Sequence, residues 1–196
     1  MQRPGHHLHP SNAHATVSAM TSAATPPPPP APSELGHAAR LARVRLLCLD
    51  VDGVLTDGHL YWVGDGSWSQ RFSVRDGYGI KLLQEVGVHI AVISGGDVKS
   101  GRDRCASLGI VHAHFGIDDK VETFRNIAAG LGIDAEETAF CGDELVDVPL
   151  LRVVGFAATV PEAVDEVQAA VHYVTRRPGG NGAVRELCDL IRAHRP

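Results

Sequence analysis

The chain has 196 residues, of which 44% are hydrophobic and 21% are charged, a size and composition typical of one domain with its own core. No apolar run reaches the ~20 residues needed to cross a bilayer, which argues against a membrane protein. Acidic residues outnumber basic ones by 23 to 18, the opposite of the balance in proteins that neutralise nucleic-acid phosphates. We therefore expect neither a membrane nor a nucleic acid as a partner.

The beginning of the chain differs in composition from the rest. Residues 1–43 contain eight of the 12 prolines, five of the 11 histidines and a single acid, Glu34. The proline run at 26–30 cannot form helix or sheet ladders, so we predict a disordered extension over 1–40 and a folded domain over 41–196. Two interpretations of the extension stay open: a proline-rich ligand for a partner domain, or a mis-assigned start codon, since Met20 lies within it.

The four cysteines, Cys48, Cys105, Cys141 and Cys188, are widely spaced. They form no C-x-x-C pair, and no secretory signal precedes them. We therefore expect reduced, mostly buried thiols and a cytoplasmic protein.

The predicted elements alternate between strand and helix after an initial apolar strand at 45–49 and a β-hairpin at 58–72. Apolar residues at helical spacing, each group closed by a glycine, mark helices that end before Gly87, Gly109 and Gly132. Pro161 is predicted in the first turn of a later helix. Further strands are predicted at 88–93, 110–115, 138–141, 156–159 and 173–174, and a closing helix carries Val184, Leu187, Cys188 and Ile191. The pattern predicts an α/β fold, a Rossmann-like parallel sheet with helices on both faces.

Chemically active side chains follow four of the predicted strands, and ligands of an open parallel sheet bind beyond these carboxyl ends. In chain order these are Asp50 and Asp52, Ser94 and Gly95, Lys120, and Asp143 and Asp147. Crowded carboxylates repel one another, a repulsion that a divalent cation removes, and oxygen ligands favour Mg²⁺. Lys120 and Ser94, with the amides of Gly95 and Gly96, are candidates to hold a phosphate, and a carboxylate is a candidate nucleophile. Acids at strand ends also serve as caps, the interpretation we favour for Asp97, Asp119 and Asp134.

These residues resemble the four motifs of the haloacid dehalogenase (HAD) phosphohydrolase superfamily, in the right order. The first motif matches residues 50–57, the second Ser94, the third Lys120 and the fourth residues 142–147. Residues 71–80 and 173–186 are further similar to signatures of 3-deoxy-D-manno-octulosonate 8-phosphate (KDO 8-phosphate) phosphatases. Related members act on 9-phosphates of sialic-acid-like sugars. The resemblance covers about residues 44–194.

The resemblance implies a role for each matched residue. Asp50 is expected to become an aspartyl-phosphate, and Asp52 to protonate the leaving oxygen and then activate water. Asp50, Asp143 and Asp52, the last through its backbone carbonyl, are expected to hold Mg²⁺. Ser94, Gly95, Lys120 and Arg75 are expected to bind the phosphoryl group or substrate, with Asp147 in support. Arg75 and Arg185 are both candidate anion binders, and pairing with local acids such as Asp76 or Glu186 is the alternative for each.

The spacing of the motifs leaves no room for a cap domain. About 40 residues separate Asp52 from Ser94, and the hairpin and one helix use them. A reactive intermediate needs shielding from water, and the resemblance implies a homotetramer in which a neighbouring subunit covers the site. The apolar hairpin, with Tyr61, Trp62, Val63, Trp68 and Phe72, fits an interface; packing on its own subunit is the alternative.

Three positions depart from the octulosonate phosphatase pattern. Gly96 and Asn181 stand where arginines are usual, and Glu144 stands where an aspartate is usual. Two positive charges that would face an acidic sugar are thus absent, although the phosphatase motifs are intact. We expect a phosphatase of KDO 8-phosphate or a related nonulosonate 9-phosphate. The alternatives are a phosphatase of an unrelated small metabolite and a non-catalytic oligomeric module.

Overall fold

The computed structural model describes residues 36–195, so residues 1–35 of the predicted extension lie outside the described residues. The order of helices and strands matches the predicted alternation from residue 45 onward. The strands are β1 (Leu46–Leu49), β2 (Tyr61–Val63), β3 (Ser67–Ser69), β4 (His89–Ile93), β5 (His112–His114), β6 (Thr138–Cys141), β7 (Phe156–Thr159) and β8 (Tyr173–Val174). The helices are α1 (His37–Ala42), α2 (Val74–Glu85), α3 (Lys99–Ser107), α4 (Lys120–Leu131), α5 (Val148–Leu151), α6 (Asp165–Gln168) and α7 (Ala183–Ala193).

Six strands form a parallel sheet in the order β5-β4-β1-β6-β7-β8. Strand β1 is central because every one of its side chains is apolar and buried. Alternate residues of β1 face opposite cores: Leu47 and Leu49 join the cluster under α2 and α7, whereas Leu46 and Cys48 join the cluster under α4 and α5. The predicted parallel sheet with helices on both faces is confirmed.

Strands β2 and β3 form the predicted hairpin, which pairs antiparallel apart from the main sheet. Trp62 and Trp68 face each other across it, with ring centroids 5.0 Å apart, and both remain more than half exposed. Phe72 packs against the core under α2. Within one subunit, the apolar side chains of β2 and β3 therefore stay exposed, whereas Phe72 is partly buried.

The structure moves the start of the folded domain and corrects one helix. Residues 37–40 belong to helix α1 rather than to the extension, because Leu41 is buried in the core and His37 packs edge-on against Phe156. Pro161 lies in a turn, and α6 begins only at Asp165. The chain stays extended at Val164, whose N–H donates to the Asp143 carbonyl at 3.4 Å, so the helix cannot start at the proline.

Two further features of residues 36–195 concern the length of the helices and the state of the thiols. None of these helices combines the length and the apolarity needed to cross a bilayer. All four cysteines are buried and unpaired.

Leu41→Ala tests whether α1 belongs to the folded domain. The substitution removes a fully buried side chain from the core under α7, so we expect the free energy of unfolding to fall by ~2–4 kcal/mol. Urea denaturation measures the change, with Arg43→Ala, an exposed neighbour, as the control. Equal stability of the two variants would contradict the placement of α1.

Candidate active site

The loop after β1 brings the carboxylates of Asp50 and Asp52 to the carboxyl edge of the sheet. Its shape depends on the buried Thr56, whose hydroxyl donates to the Val51 carbonyl and accepts from the N–H of Gly53, both at 3.2 Å. Gly53 has φ +76°, and a Cβ there would lie 1.9 Å from Oδ2 of Asp143. Only glycine therefore lets the first loop pass this close to the loop that follows β6.

Lys120 lies at the centre of the buried charges. It opens α4 directly after Asp119, which caps the helix by accepting from the N–H of Glu122. Its Nζ lies 2.6 Å from Oδ1 of Asp147 and 3.1 Å from Oδ1 of Asp50. Burial disfavours the ammonium, but these two carboxylates outweigh that effect, and the pKa of Lys120 is raised. The lysine is therefore a permanent cation here.

Asp147 is fully buried and fully hydrogen-bonded. While Oδ1 accepts from Lys120, Oδ2 accepts from the N–H groups of Asp143 and Glu144 at 3.0 and 3.1 Å. Gly142 leaves the necessary space, because a Cβ there would lie 2.4 Å from Cγ of Asp147. Asp147 thus fixes both the lysine and the backbone of the loop after β6, which fits the supporting role predicted for it.

Asp50 and Asp143 are left short of partners. Oδ1 of each is buried and accepts no hydrogen bond within residues 36–195; the contact of Asp50 with Lys120 is an ion pair without hydrogen-bond geometry. Burial raises the pKa of Asp50 to about 6, even though Lys120 lowers it. Burial, and then the charges of Asp50 and Asp147, raise the pKa of Asp143 to about 7. Asp143 therefore lacks an ion-pair partner among the described residues, and Asp50 shares the single ammonium of Lys120 with Asp147.

The missing partner fits a divalent cation. Oxygen atoms from Asp50, Asp143 and Asp147 lie within 4.8 Å of one another, and oxygen-only ligands favour a hard ion such as Mg²⁺. This cluster shares Asp50 and Asp143 with the predicted ligand set, in which Asp52 contributes its backbone carbonyl and not its side chain. The Asp52 side chain accepts a hydrogen bond from Nε2 of Gln70 at 2.6 Å.

The loop after β4 forms the opposite wall. Ser94 is buried, and its hydroxyl accepts a hydrogen bond from the N–H of Gly96 at 3.2 Å. The sequence analysis expected this N–H to bind phosphate, but it is already used by Ser94. A small cavity of about 290 Å³ lies between the walls. It is lined by Asp50, Asp52, Gly53, Gly58, Gly95, Gly96, Lys120, Asp143, Glu144 and Val146. All four predicted strand ends thus meet near one cavity.

Arg75 is the exception among the predicted site residues. It lies in a separate, larger groove of about 470 Å³, together with Arg176, Arg177, Asn181 and Arg185. Arg75 is exposed on α2, which packs against α7. Arg75 therefore does not face the Asp50 cavity of its own subunit.

The Arg185 side chain pairs with a local acid, Asp189, rather than with the side chain of Asp76 or Glu186. Asp76 accepts from the backbone N–H groups of Gly182 and Arg185 at 3.2 and 2.7 Å, which caps the start of α7. The Arg185 guanidinium binds Asp189, and Glu186 accepts from Tyr173 and Arg176. Arg185 thus serves local structure.

The turn before α7 also contacts the loop after β1. Gly180 donates to the Val54 carbonyl at 3.0 Å, and a Cβ on Gly179 would lie 1.7 Å from the carbonyl oxygen of Gly53. Two distant glycines therefore allow close backbone contact behind the site.

Gln70 and Ser100 were missed by the sequence analysis. Gln70 is buried at the end of the hairpin, and its Oε1 accepts from the Ser100 hydroxyl at 3.0 Å. Hairpin alternation was the only signal at Gln70, and it indicates a buried position rather than a contact with Asp52.

Comparison with known proteins identifies relatives of the chain. A family model described as haloacid dehalogenase-like hydrolase matches residues 107–187. The 3-deoxy-D-manno-octulosonate 8-phosphate phosphatase of Escherichia coli strain K12 is 42% identical over 153 residues, which are 78% of this chain and 81% of that protein.

Two solved structures have the same fold. The phosphatase from Moraxella catarrhalis, in complex with magnesium, phosphate and KDO, superimposes with a TM-score of 0.78 at 35% identity, covering 81% of this chain and 91% of that one. The cobalt-bound phosphatase from Haemophilus influenzae gives 0.76 at 38% identity, covering 79% and 91%.

The raised pKa of Asp143 predicts the pH dependence of stability without divalent cations. Its folded-state pKa of about 7, against an ordinary 3.8, means that its contribution is complete below about pH 4 and is lost as the pH rises through about 7. We expect the wild type to lose stability relative to Asp143→Asn over this range. Urea denaturation in EDTA measures the difference.

Asp103→Asn, a substitution at an exposed carboxylate on α3, is the matched control and is expected to follow the wild type. If the free energies of unfolding of the wild type and Asp143→Asn changed in parallel with pH, the raised pKa of Asp143 would be contradicted.

Proposed function

The chain belongs to the haloacid dehalogenase-like hydrolases, within the family of KDO 8-phosphate phosphatases, and we propose on that basis that this phosphatase hydrolyses a phosphorylated sugar acid with Mg²⁺. The observation that carries the proposal is the pair of buried carboxylate oxygens on Asp50 and Asp143 that accept no hydrogen bond within the described residues, beside the Lys120 ammonium that forms an ion pair with Asp50. Carboxylates in this state suit a site that receives a cation and a phosphate together.

Asp50 is the proposed nucleophile. Its carboxylate oxygen attacks phosphorus, the bond from phosphorus to the sugar oxygen breaks, and that oxygen takes a proton from Asp52. Asp52, now a carboxylate, takes a proton from a water molecule whose oxygen attacks the aspartyl-phosphate. Inorganic phosphate leaves, Asp50 is restored, and Asp52 is protonated again.

Lys120, Ser94 and the amide of Gly95 are proposed to hold the phosphoryl oxygens. Lys120 contributes a fixed positive charge, because Asp147 binds it from the other side at 2.6 Å. When bound to Asp50, Asp143 and the Asp52 carbonyl, Mg²⁺ would supply positive charge that offsets the repulsion between carboxylate and phosphate. The relatives bind magnesium in one structure and cobalt in another, so both ions belong in the assay.

The proposed substrate is KDO 8-phosphate or a related nonulosonate 9-phosphate. The relatives' activity supports this class. Of the three positions that depart from the family pattern, Gly96 and Glu144 line the Asp50 cavity, whereas Asn181 lies in the groove of Arg75. Of the two absent arginines, the one at Gly96 therefore bears on the substrate within one subunit.

We further propose a homotetramer in which a neighbouring subunit covers the cavity. The hairpin supports this, because it leaves Leu60, Trp62 and Trp68 more than half exposed and monomers rarely leave apolar patches of this kind uncovered. The hairpin also lies beside the loop after β1, where Thr56 and Phe72 form an antiparallel β-bridge. The free, buried cysteines support the cytoplasmic location.

Asp50→Asn tests the proposed chemistry. An amide is a poor nucleophile, so we expect phosphate release from KDO 8-phosphate to fall by roughly 10³-fold or more. The assay measures inorganic phosphate with Mg²⁺, with Co²⁺ and with EDTA, on a panel of sugar-acid phosphates and unrelated small phosphates. Asp103→Asn is the matched control and is expected to keep wild-type activity.

An acid quench of wild type mixed with radiolabelled substrate is expected to retain protein-bound phosphate, which Asp50→Asn lacks. Full activity of Asp50→Asn would refute the nucleophile, and activity only on unrelated phosphates would refute the substrate class.

A hairpin substitution tests the assembly. Trp62→Glu places a charge on the exposed apolar face, so we expect it to shift the protein from tetramers to smaller species and to lower activity. Sedimentation velocity measures the mass. Val111→Glu, at an exposed apolar position away from the hairpin, is expected to leave the mass unchanged; a Trp62→Glu protein that remains tetrameric would disprove the role of the hairpin.

A further inference from the structure

We propose that Gln70 is a positioning residue that holds the Asp52 carboxylate in the orientation required for proton transfer, and that Ser100 fixes the orientation of the Gln70 amide. The inference rests on the proposed function, in which Asp52 exchanges a proton with the leaving oxygen and with water. It adds two residues, from the hairpin end and from α3, that none of the four sequence motifs contains.

The three side chains form a directed chain of hydrogen bonds. The Ser100 hydroxyl donates to Oε1 of Gln70 at 3.0 Å, and Nε2 of Gln70 donates to Oδ1 of Asp52 at 2.6 Å. The reverse amide orientation would point Oε1 at a carboxylate oxygen, and two acceptors repel each other. Asp52 therefore selects this orientation of the amide, and the Ser100 hydroxyl, which can donate or accept, donates to the amide oxygen that then faces it.

Packing restricts the amide further. Gln70 is 8% exposed, and Gly101 lies beneath it on α3. A Cβ on Gly101 would lie 3.4 Å from Oε1 of Gln70 and 3.2 Å from the Phe115 ring. The start of α3 thus fits closely around the glutamine, so the amide has little freedom to turn away.

Gly96 limits the other side of Asp52. A Cβ on Gly96 would lie 2.6 Å from Oδ2 of Asp52, so this oxygen occupies space that a side chain would fill. The amide holds Oδ1 and the bare backbone accommodates Oδ2, which leaves Oδ2 as the oxygen on the cavity side. We assign the proton transfer to Oδ2.

The orientation of the Asp52 carboxylate matters most when the leaving group is poor. A sugar oxygen needs its proton as the bond to phosphorus breaks, whereas p-nitrophenolate leaves as a stable anion without one. Loss of the positioning residue should therefore affect the sugar phosphate more than p-nitrophenyl phosphate. A general structural defect would lower both activities alike.

The test compares kcat and KM of Gln70→Leu and Ser100→Ala on KDO 8-phosphate and on p-nitrophenyl phosphate. For Gln70→Leu we expect kcat on the sugar phosphate to fall about 10- to 100-fold with KM little changed, because misorientation affects the transition state and not phosphate binding. On p-nitrophenyl phosphate we expect a loss of under about threefold. For Ser100→Ala we expect kcat on the sugar phosphate to fall about two- to fivefold. Ser100→Thr keeps a hydroxyl at this position and is expected to keep a kcat near that of the wild type.

Ser107→Ala is the matched control, since Ser107 lies on the same helix and its hydroxyl donates to the Arg104 carbonyl instead. It is expected to behave as the wild type. Equal losses on both substrates, or wild-type kcat in Gln70→Leu, would overturn the inference. Because Ser100→Ala leaves Gln70 in place, it tests the inference even where Gln70→Leu folds poorly.

Two further measurements separate this inference from the proposed function. If Asp52→Asn loses activity while Gln70→Leu does not, the positioning role alone fails. If the wild type releases phosphate from no sugar phosphate, the proposed function fails, and crystal structures decide the positioning. A rotated Asp52 carboxylate in Gln70→Leu supports it, and an unmoved one overturns it.

Discussion

One buried ammonium serves two buried carboxylates, and a third carboxylate has no cation at all. Lys120 lies between Asp50 and Asp147, while Asp143 is held against them by its own backbone. Burying an unpaired charge is expensive, so the arrangement persists only because the sheet and its loops hold it together. The same strain makes the cluster able to bind a cation and an anion in one place, which is why fold and chemistry cannot be separated here.

The parallel sheet brings site residues that are far apart in the sequence close together in space. Strand order reverses at β1, with β4 on one side and β6 on the other, so the loops after these strands face each other. Apolar runs ending in acids were enough to predict this, because a strand buried on both faces has a clear pattern. Helix α1 was not predictable in that way, since its six residues offer one buried side chain, Leu41, beside a proline-rich stretch.

The site was predictable where motifs carry it and not where distant contacts decide it. Asp50, Lys120 and Asp143 meet because strand ends meet. The roles of Arg75 and Gln70 depend on which face of α2 is exposed and on how the hairpin returns to the core, and neither has a local sequence signal. The Asp52 side chain was predicted to exchange protons, but the hydrogen bond that it accepts from the Gln70 amide has no signal in the sequence.

Much of this site is shaped by missing side chains. Gly53 and Gly142 each stand where a single methyl group would collide with a carboxylate, and Gly179 stands where one would collide with the Gly53 carbonyl. Tolerance of random mutation must therefore be low at positions that carry no chemistry themselves. In a library of variants, inactive clones should accumulate at these spacers as readily as at the acids, and an evolutionary path to another substrate would have to begin elsewhere along the rim.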